Sequence, residues 1–245
     1  MTELLYYKDA YLREFDAKIS SLSSSEGSLR VSMNRTAFYP GGGGQPNDTG
    51  WLVVGSIRHE VQSVRKEGDS IWHQVVSDSH ASIPKLVQEQ EIRGLLDWER
   101  RHLTMRTHTA MHVLSAVVWK DYGAQVTGGN MDPGTGRMDF EFANLTKELV
   151  AEIEKRCNDE VKAARQIRTS SLPRAEALRI PDLIRTKVNL IPESVSEIRT
   201  VEIVGLDLQA DGGTHVANTR EVGPIRIPDY KSKGAINKRI YLELT

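Results

Sequence analysis

The sequence predicts an α+β protein with two domains. A small strand-rich, barrel-like domain over residues 1–97 is followed by an α+β domain over residues 98–245, in which a sheet packs against long helices. Three observations support this prediction. Short strand patterns fill the first part of the chain, residues 102–123 and 146–165 have helical periodicity, and strand patterns return after the second helix. Strands followed by mixed helices and strands are typical of the α+β class.

The first domain is predicted from short runs in which polar and apolar residues alternate. Two such runs flank the polar turn "SSLSSSEGS" at residues 20–28, as expected for a β-hairpin. The stretch from residue 51 to 76 continues in the same style, with breaks at Gly55 and Gly68.

The clearest helix pattern in the second domain is "HLTMRTHTAMHVLSAVVWKDYG". Met111, Leu114, Val118 and Tyr122 recur at helical spacing, and Gly123 can end the helix. A long helix is therefore expected in the middle of the sequence.

A second amphipathic helix is predicted over "TKELVAEIEKRCNDEVKAAR". Leu149, Ile153, Cys157 and Val161 fall every four residues and share one apolar face. Because Cys157 lies on that face, we interpret the only thiol as a small core residue and not as a ligand or nucleophile. Downstream, "EIRTVEIVGLDLQ" is predicted to form one strand and residues 221–244 a hairpin with a basic tip.

Composition limits the class of protein. The chain has 245 residues, with 32 basic against 33 acidic residues, so no global charge indicates a nucleic-acid partner. The single cysteine excludes a disulfide framework, and no apolar run approaches the length of a membrane span. The amino terminus lacks the order of a signal peptide. We therefore expect a cytoplasmic protein with neither DNA nor a membrane as partner.

Four consecutive glycines, Gly41 to Gly44, stand in "AFYPGGGGQPNDTG". A phosphate-binding loop of the P-loop type is excluded because Gln45 and Pro46 follow where lysine and a hydroxyl residue are required. The segment can be a turn between strands, a wall where bare backbone approaches a ligand, or both.

The long helix also carries candidate metal ligands. His108 and His112 are spaced i, i+4, so their imidazoles point the same way and can bind one zinc ion. Thr109 stands where a zinc protease has its glutamate, which excludes that mechanism. His215 and Asp211 in "DGGTH" can complete the site. Alternatively, the histidine pair is a coincidence of spacing and the aspartate belongs to an ordinary turn.

The remaining histidines are interpreted as surface residues because their neighbours are polar or charged: His59, His73, His80 and His102.

Four motifs together resemble a known family. "NRTAFYPGGGGQPNDTGWL", "HTAMHVLSAV", "LDLQADGGTHVANTREVGPIRI" and "KGAINKRIYLEL" occur in the family's order from about residue 5 to the end. The chain is similar to the editing region of alanyl-tRNA synthetase, and most similar to the free-standing trans-editing proteins of the AlaX type.

The resemblance implies hydrolysis of the ester that joins a wrong amino acid, serine or sometimes glycine, to the 3′ end of tRNA(Ala). It also implies one zinc ion, held by His108, His112 and His215. Asp211 stands at the position of the family's cysteine, and a carboxylate makes a harder site that holds zinc more weakly than a thiolate does.

The same resemblance implies roles for the glycine-rich motif. Thr36 and Gln45 are expected to present polar groups to the amino acid, and Gly41 to Gly44 to let backbone N–H groups approach it. A pocket that hydrogen-bonds the serine hydroxyl can reject alanine, because alanine leaves the pocket's polar groups unpaired.

Contact with tRNA requires local positive charge because the overall charge is balanced. Basic residues cluster in "WERRHLTMR", in "KAARQIRTSSLPR" and in the closing hairpin, where each cluster can pair with phosphates or simply face solvent. The predicted RNA contacts are Arg100, Arg101, Arg106, Lys231, Lys233, Lys238 and Arg239.

Three functional hypotheses remain open from the sequence. The first is a trans-editing deacylase acting as a monomer or weak homo-oligomer. The second is a metal-dependent hydrolase for another ester or for a threonine-type aminoacyl-tRNA. The third is a non-catalytic tRNA-binding module with a decayed site, for which Asp211 is the only argument; the retention of the three histidines, Thr36 and Gln45 is against it.

Overall fold

The computed structural model describes residues 1–25, 28–77, 86–185, 191–193 and 195–245. It confirms the α+β class with a strand-rich first part. The chain divides into two compact units, one formed by Met1–Gly42 with Pro46–Leu103 and the other by Gly43–Gln45 with Thr104–Thr245. This division falls within a helix that begins at Trp98, whereas the sequence placed the domain boundary at the start of that helix.

The first unit is a closed six-stranded antiparallel barrel, and the predicted barrel-like character is confirmed. Closure pairs every strand on both sides and leaves no open sheet edge. Its strands are β2 (Glu14–Ser25), β3 (Ser28–Met33), β5 (Gly50–Val54), β6 (Ile57–Glu67), β7 (Ser70–Ser77) and β8 (Glu91–Leu96), and the accessory elements are β1 (Glu3–Leu4), α1 (Leu5–Lys8) and β4 (Arg35–Thr36). The barrel order is β2-β3-β7-β6-β5-β8.

Apolar side chains that alternate along the strands fill the barrel interior. Ile19, Val31, Leu52 and Val61 all lie in this core and are fully buried. The polar turn predicted at 20–28 falls partly on residues 26–27, outside the described residues, and the strands on either side pair as a hairpin.

Two of the histidines interpreted as surface residues are buried in the barrel. His59 is 1% exposed and His73 is fully buried, so the surface interpretation is wrong for both. Alternation explains the error: a polar neighbour on a strand points to the opposite face and says nothing about the histidine itself. His102 is half-buried and stacks on Trp98, and His80 lies outside the described residues.

The second unit combines helices with two antiparallel sheets. Its helices are α2 (Trp98–Tyr122, which begins in the first unit), α3 (Lys147–Lys162), α4 (Arg174–Ala177) and a 3₁₀ turn at Thr219–Val222. Its strands are β9 (Val126–Asp132), β10 (Thr135–Glu141), β11 (Ile167–Pro173), β12 (Glu197–Ile203), β13 (Asp207–Ala210), β14 (Ile225–Ser232) and β15 (Asn237–Leu244). One sheet has the order β14-β15-β10-β9 and the other β11-β12-β13.

Both predicted helices are confirmed. α2 ends at Gly123, whose φ of 66° ends the helix, and Thr146 caps α3 by accepting a hydrogen bond from the Leu149 backbone N–H. Cys157 is fully buried on α3, as predicted, and burial raises the pKa of its thiol.

α2 packs closely on the four-stranded sheet because glycines line the contact. A side chain at Gly136 would place its Cβ 2.9 Å from the Met111 sulfur, and one at Gly129 would lie 3.3 Å from the Met111 methyl group. The bare backbone at these two positions lets the helix approach the sheet.

The predicted single strand at residues 197–209 is wrong. The structure has two strands there, β12 and β13, which pair as a tight hairpin. Gly205, with φ of 74°, allows the turn between them. In the described residues no helix is long and apolar enough to cross a membrane.

Candidate metal centre

Four side chains of the second unit converge on one point. His108 and His112 come from α2, and Asp211 and His215 come from the loop that follows β13. One ligand atom from each residue lies within 4.8 Å of all the others. The three imidazoles are buried, and the Asp211 side chain is 17% exposed. The structure therefore brings together all four residues that the sequence singled out as candidate ligands.

The Asp211 carboxylate lies at the centre of the cluster. Its Oδ1 is 3.5 Å from His108 Nε2 and 3.9 Å from His112 Nε2, and its Oδ2 is 3.0 Å from His215 Nε2. Burial raises the pKa of Asp211, but attraction to the surrounding imidazoles in their charged form and a hydrogen bond with His215 lower it well below its usual range. The aspartate is therefore an anion.

Burial favours the neutral form of His108 and His112. Burial is the main cause that lowers the pKa of His108 well below its usual value and that of His112 to about 4. Neutral imidazole with a free nitrogen lone pair is the form that binds a metal ion.

The loop that carries Asp211 and His215 is fixed by Arg199 of β12. The guanidinium Nη1 donates to the carbonyl oxygens of Asp211 (3.0 Å) and Gly213 (2.9 Å). The Gly213 N–H donates to Asp211 Oδ2 at 2.7 Å, which closes a turn through the aspartate side chain. The turn that the sequence offered as an alternative is thus present together with the cluster.

Gln45 fixes the protonation of His108. Its Oε1 accepts hydrogen bonds from the Thr214 backbone N–H (3.0 Å), and its Nε2 donates to Thr214 Oγ1 (2.9 Å), so the orientation of the amide is determined. His108 Nδ1 lies 2.9 Å from the same Oε1. Because Oε1 cannot donate, Nδ1 carries the proton and Nε2 presents its lone pair to Asp211.

This arrangement fits a metal ion. An unprotonated Nε2 and an anionic carboxylate oxygen face each other at 3.5 Å in a buried place, where two acceptors repel. A cation between them removes the repulsion. Three imidazoles and one carboxylate are suitable ligands for a tetrahedral zinc site, and Gln45 supplies the outer hydrogen bond that metal-binding histidines normally have.

Gly213 makes room for this geometry. A Cβ at this position would lie 2.3 Å from His108 Cε1 and 2.5 Å from Gln45 Oε1. Any side chain would displace the imidazole or the amide, so the second glycine of "DGGTH" is required by packing against the cluster.

The glycine-rich loop has the backbone that its composition predicted. Gly41, Gly42, Gly43 and Gly44 have φ values of 80°, 135°, 60° and 89°, a run of conformations that other residues avoid. In the second unit, Gly44 O accepts a hydrogen bond from the Met131 N–H of β9 at 3.0 Å, next to Gln45 in the chain. The loop is therefore anchored to a sheet edge immediately before Gln45.

Thr36 lies in the first unit and is fully buried. His73 Nδ1 donates to the Val31 carbonyl at 3.0 Å, so Nε2 accepts from the Thr36 hydroxyl at 2.9 Å. Thr36 Oγ1 also accepts from the Phe38 N–H at 3.1 Å. The role of Thr36 toward a substrate stays a prediction.

Two predicted RNA contacts are wrong. Arg101 is fully buried, and its guanidinium binds Asp48 and the carbonyls of Ala10 and Ala37. Lys238 is buried, and its ammonium donates to carbonyls in the turn of its own hairpin. Basic residues in a run can serve internal contacts, which composition alone does not reveal.

The other predicted RNA contacts differ in their availability. Lys231 and Lys233 are exposed at the hairpin tip. Arg239 binds Asp139 through two hydrogen bonds of 2.6 and 2.7 Å, and Arg106 donates to the Val222 carbonyl. Arg100 is half-buried and donates to the Asn47 carbonyl.

Sequence reasoning missed three residues that support the cluster. Thr109 Oγ1 lies 3.2 Å from His215 Nδ1 and accepts from the Val216 N–H, Thr214 orients Gln45, and Arg199 holds the loop. Thr109 had a readable signal, since a hydroxyl between two candidate ligands is well placed for an outer contact. Arg199 had none, because its role depends on the pairing of β12 with β13.

Comparison with known proteins identifies the family of the chain. Residues 198–241, which include the Asp211 loop, match the family described as threonyl and alanyl tRNA synthetase second additional domain, and residues 4–100 match the family described as tRNA synthetases class II (A). The chain is 37% identical to alanyl-tRNA editing protein AlaX-M of Saccharolobus solfataricus over 98% of both chains, and 38% identical to that of Methanosarcina acetivorans over 100% of this chain and 99% of the relative.

The alanine–tRNA ligase of Pyrococcus furiosus is 37% identical over 92% of this chain but only 24% of the ligase. The similarity to the ligase therefore concerns one part of a longer protein, whereas the similarity to the editing proteins covers both chains from end to end. The chain belongs to the AlaX-M family of alanyl-tRNA editing proteins.

Proposed function

We propose that this protein hydrolyses the ester bond of tRNA(Ala) charged with a wrong amino acid, serine or glycine, and that it does so in trans with one zinc ion per chain. The observation that carries the proposal is the buried cluster of three imidazoles and one carboxylate, in a chain that matches editing proteins over its whole length.

The proposed zinc ligands are His108, His112, Asp211 and His215. A zinc ion bound there supplies a Lewis acid beside the ester or a site that positions the substrate. Gln45 keeps His108 in the tautomer that can bind the ion, and Arg199 and Thr109 hold the two residues of the loop in place. The protein's contribution is thus the positioning of groups that are fixed before substrate arrives.

The substrate contacts remain proposals. Thr36 and the glycines Gly41 to Gly44 are proposed to meet the amino acid on the family resemblance. Lys231 and Lys233, exposed at the tip of the last hairpin, are proposed to contact RNA phosphates. These contacts predict that the affinity for tRNA falls as the salt concentration rises.

The first experiment is a deacylation time course on seryl-tRNA(Ala), glycyl-tRNA(Ala) and alanyl-tRNA(Ala), with and without a chelator and with zinc added back. We expect loss of serine or glycine, retention of alanine, inhibition by the chelator and recovery with zinc. Activity that the chelator leaves intact refutes the role of zinc. Equal hydrolysis of alanyl-tRNA(Ala) refutes editing, and preference for seryl-tRNA(Thr) in a parallel arm supports the threonine-type alternative.

A matched pair of variants locates the chemistry. His112→Asn removes a proposed ligand, and His102→Asn changes a histidine of the same helix that stacks on Trp98 instead. We expect the first variant to lose zinc and activity and the second to keep both. Full activity of His112→Asn contradicts the proposed centre.

A further inference from the structure

A row of polar side chains extends from the metal cluster along the contact between α2 and β13. Along α2, His108, His112, Ser115 and Trp119 follow at helical spacing on one face. Along the strand and just after it, Asp207, Gln209 and Asp211 alternate and so share the other side of this contact.

Contacts across the row confirm that the two faces meet. Asp211 faces His108 and His112, and Gln209 Nε2 lies 3.4 Å from Ser115 Oγ and also donates to the Asp207 carboxylate. The row therefore continues away from the metal cluster as a line of hydrogen-bonding groups.

Arg185 closes the far end of the row. Its Nη2 donates to Asp207, and its guanidinium carbon lies 5.5 Å from the centre of the Trp119 ring. The preceding segment is anchored beside β13, because the Ala210 N–H donates to the Leu183 carbonyl at 2.9 Å and Leu183 is buried. Arg185 is therefore held in place by backbone as well as by its ion pair.

Two donor nitrogens of the Arg185 guanidinium make no hydrogen bond to the described residues. The Arg185 side chain is 9% exposed, yet its Nε and Nη1 have no hydrogen-bond partner in the part of the chain that the structure describes. Unpartnered N–H groups of a buried cation are costly, so a site that retains them usually receives an acceptor from elsewhere. Each of these two N–H groups can donate a charge-assisted hydrogen bond to a phosphate oxygen.

The distance from the cluster suits a nucleic-acid strand whose end is at the metal. Trp119 is seven residues after His112, which corresponds to about 10 Å along the helix.

We propose that Arg185, supported by Asp207 and Trp119, binds a backbone phosphate of the substrate RNA near its 3′ end while the aminoacyl ester lies at the metal cluster. This inference rests on the proposed function, since it assigns a phosphate subsite to the same RNA substrate. It assigns a role to the buried arginine that the metal chemistry leaves unused.

The test compares substrates with and without phosphate. Arg185→Met is assayed on seryl-tRNA(Ala) and on the serine ester of adenosine, which has no phosphate. We expect KM for the tRNA substrate to rise about 10- to 100-fold, the loss of a charge-assisted hydrogen bond, while kcat/KM for the adenosine ester stays within about twofold. Arg185→Lys should fall between, because it keeps the charge and loses the separate N–H donors of the guanidinium.

Arg179→Met is the matched control, since Arg179 is an exposed arginine of the same segment. It should leave both substrates unchanged. Equal losses of Arg185→Met on both substrates would show that Arg185 acts through the metal cluster or the fold, and no loss on either would show that water satisfies its donors; both results overturn the proposal.

Binding of uncharged tRNA(Ala) gives a readout that does not depend on catalysis. The slope of log affinity against log salt should decrease by about one in Arg185→Met and stay unchanged in Arg179→Met. If the wild type binds tRNA with this pattern but hydrolyses nothing, the proposed function fails and the phosphate site stands. An unchanged slope in Arg185→Met refutes the phosphate site whatever the activity.

Discussion

Replacement of Gln45 by methionine should weaken metal binding without preventing folding. The Gln45 side chain makes three buried hydrogen bonds, one from His108 Nδ1–H, one from the Thr214 N–H and one to Thr214 Oγ1. Methionine has a similar volume but leaves the two N–H groups without an acceptor, at about 1–3 kcal/mol each. Loss of the outer partner of a metal-binding histidine typically reduces metal affinity 10- to 100-fold. We therefore expect a weaker zinc site in a protein that is less stable but still folded.

Zinc affinity is measured by competition with a chromophoric chelator, and stability by urea denaturation of the metal-free protein. Gln45→Glu is the informative second variant, because a carboxylate still accepts from His108 Nδ1–H and from the Thr214 hydroxyl and so should keep zinc binding close to wild type. Gln74→Met, which removes an amide that hydrogen-bonds Ser63 in the barrel, controls for the loss of a glutamine. Equal loss of zinc in Gln45→Met and Gln45→Glu, or no loss in Gln45→Met, would refute the tautomer argument.

Two further predictions follow from packing and from a buried histidine. Gly213→Ala should reduce zinc affinity at least tenfold in a chelator competition, because its Cβ would lie 2.3 Å from His108 Cε1, whereas Gly128→Ala, whose Cβ meets nothing closer than 3.9 Å, should not. Burial lowers the pKa of His73 to about 4, so only the unfolded chain takes up its proton as the pH falls from about 6.5. The unfolding free energy of metal-free wild type, measured by urea denaturation, should therefore fall relative to that of His73→Gln between pH 6.5 and 4, by on the order of 3 kcal/mol. The same pH dependence of the unfolding free energy in both proteins would contradict the burial.

The four members of the cluster were predictable because each had a local signal. The i, i+4 spacing placed His108 and His112 on one helix face, and "DGGTH" placed Asp211 and His215 in one tight loop. What joins the two motifs is tertiary, and the helix and loop meet through contacts such as that of Thr109 with Val216. No local pattern specifies that contact, so the sequence could name the candidate ligands but not show that they meet.

The errors have the same physical origin. Arg101 stands in a run of basic residues, which is typical of an RNA contact. It is nevertheless buried, because Asp48, 53 positions away, needs a counter-ion inside the first unit. His73 has polar neighbours, yet the barrel closes over it and gives both ring nitrogens partners. The strand at residues 197–209 was predicted as one element because its apolar pattern continues through Gly205, whose positive φ turns the chain back.

The aspartate in the cluster does more than replace a thiolate. Its Oδ1 faces His108 and His112, and its Oδ2 accepts the Gly213 N–H and lies against His215. One carboxylate therefore can serve as a metal ligand and also closes the turn that carries the last histidine. A thiolate has a single acceptor atom and cannot occupy both positions. A carboxylate holds zinc more weakly than a thiolate does, but this carboxylate fixes the loop before any metal binds. The decayed-site hypothesis relied on Asp211 alone and therefore loses its argument.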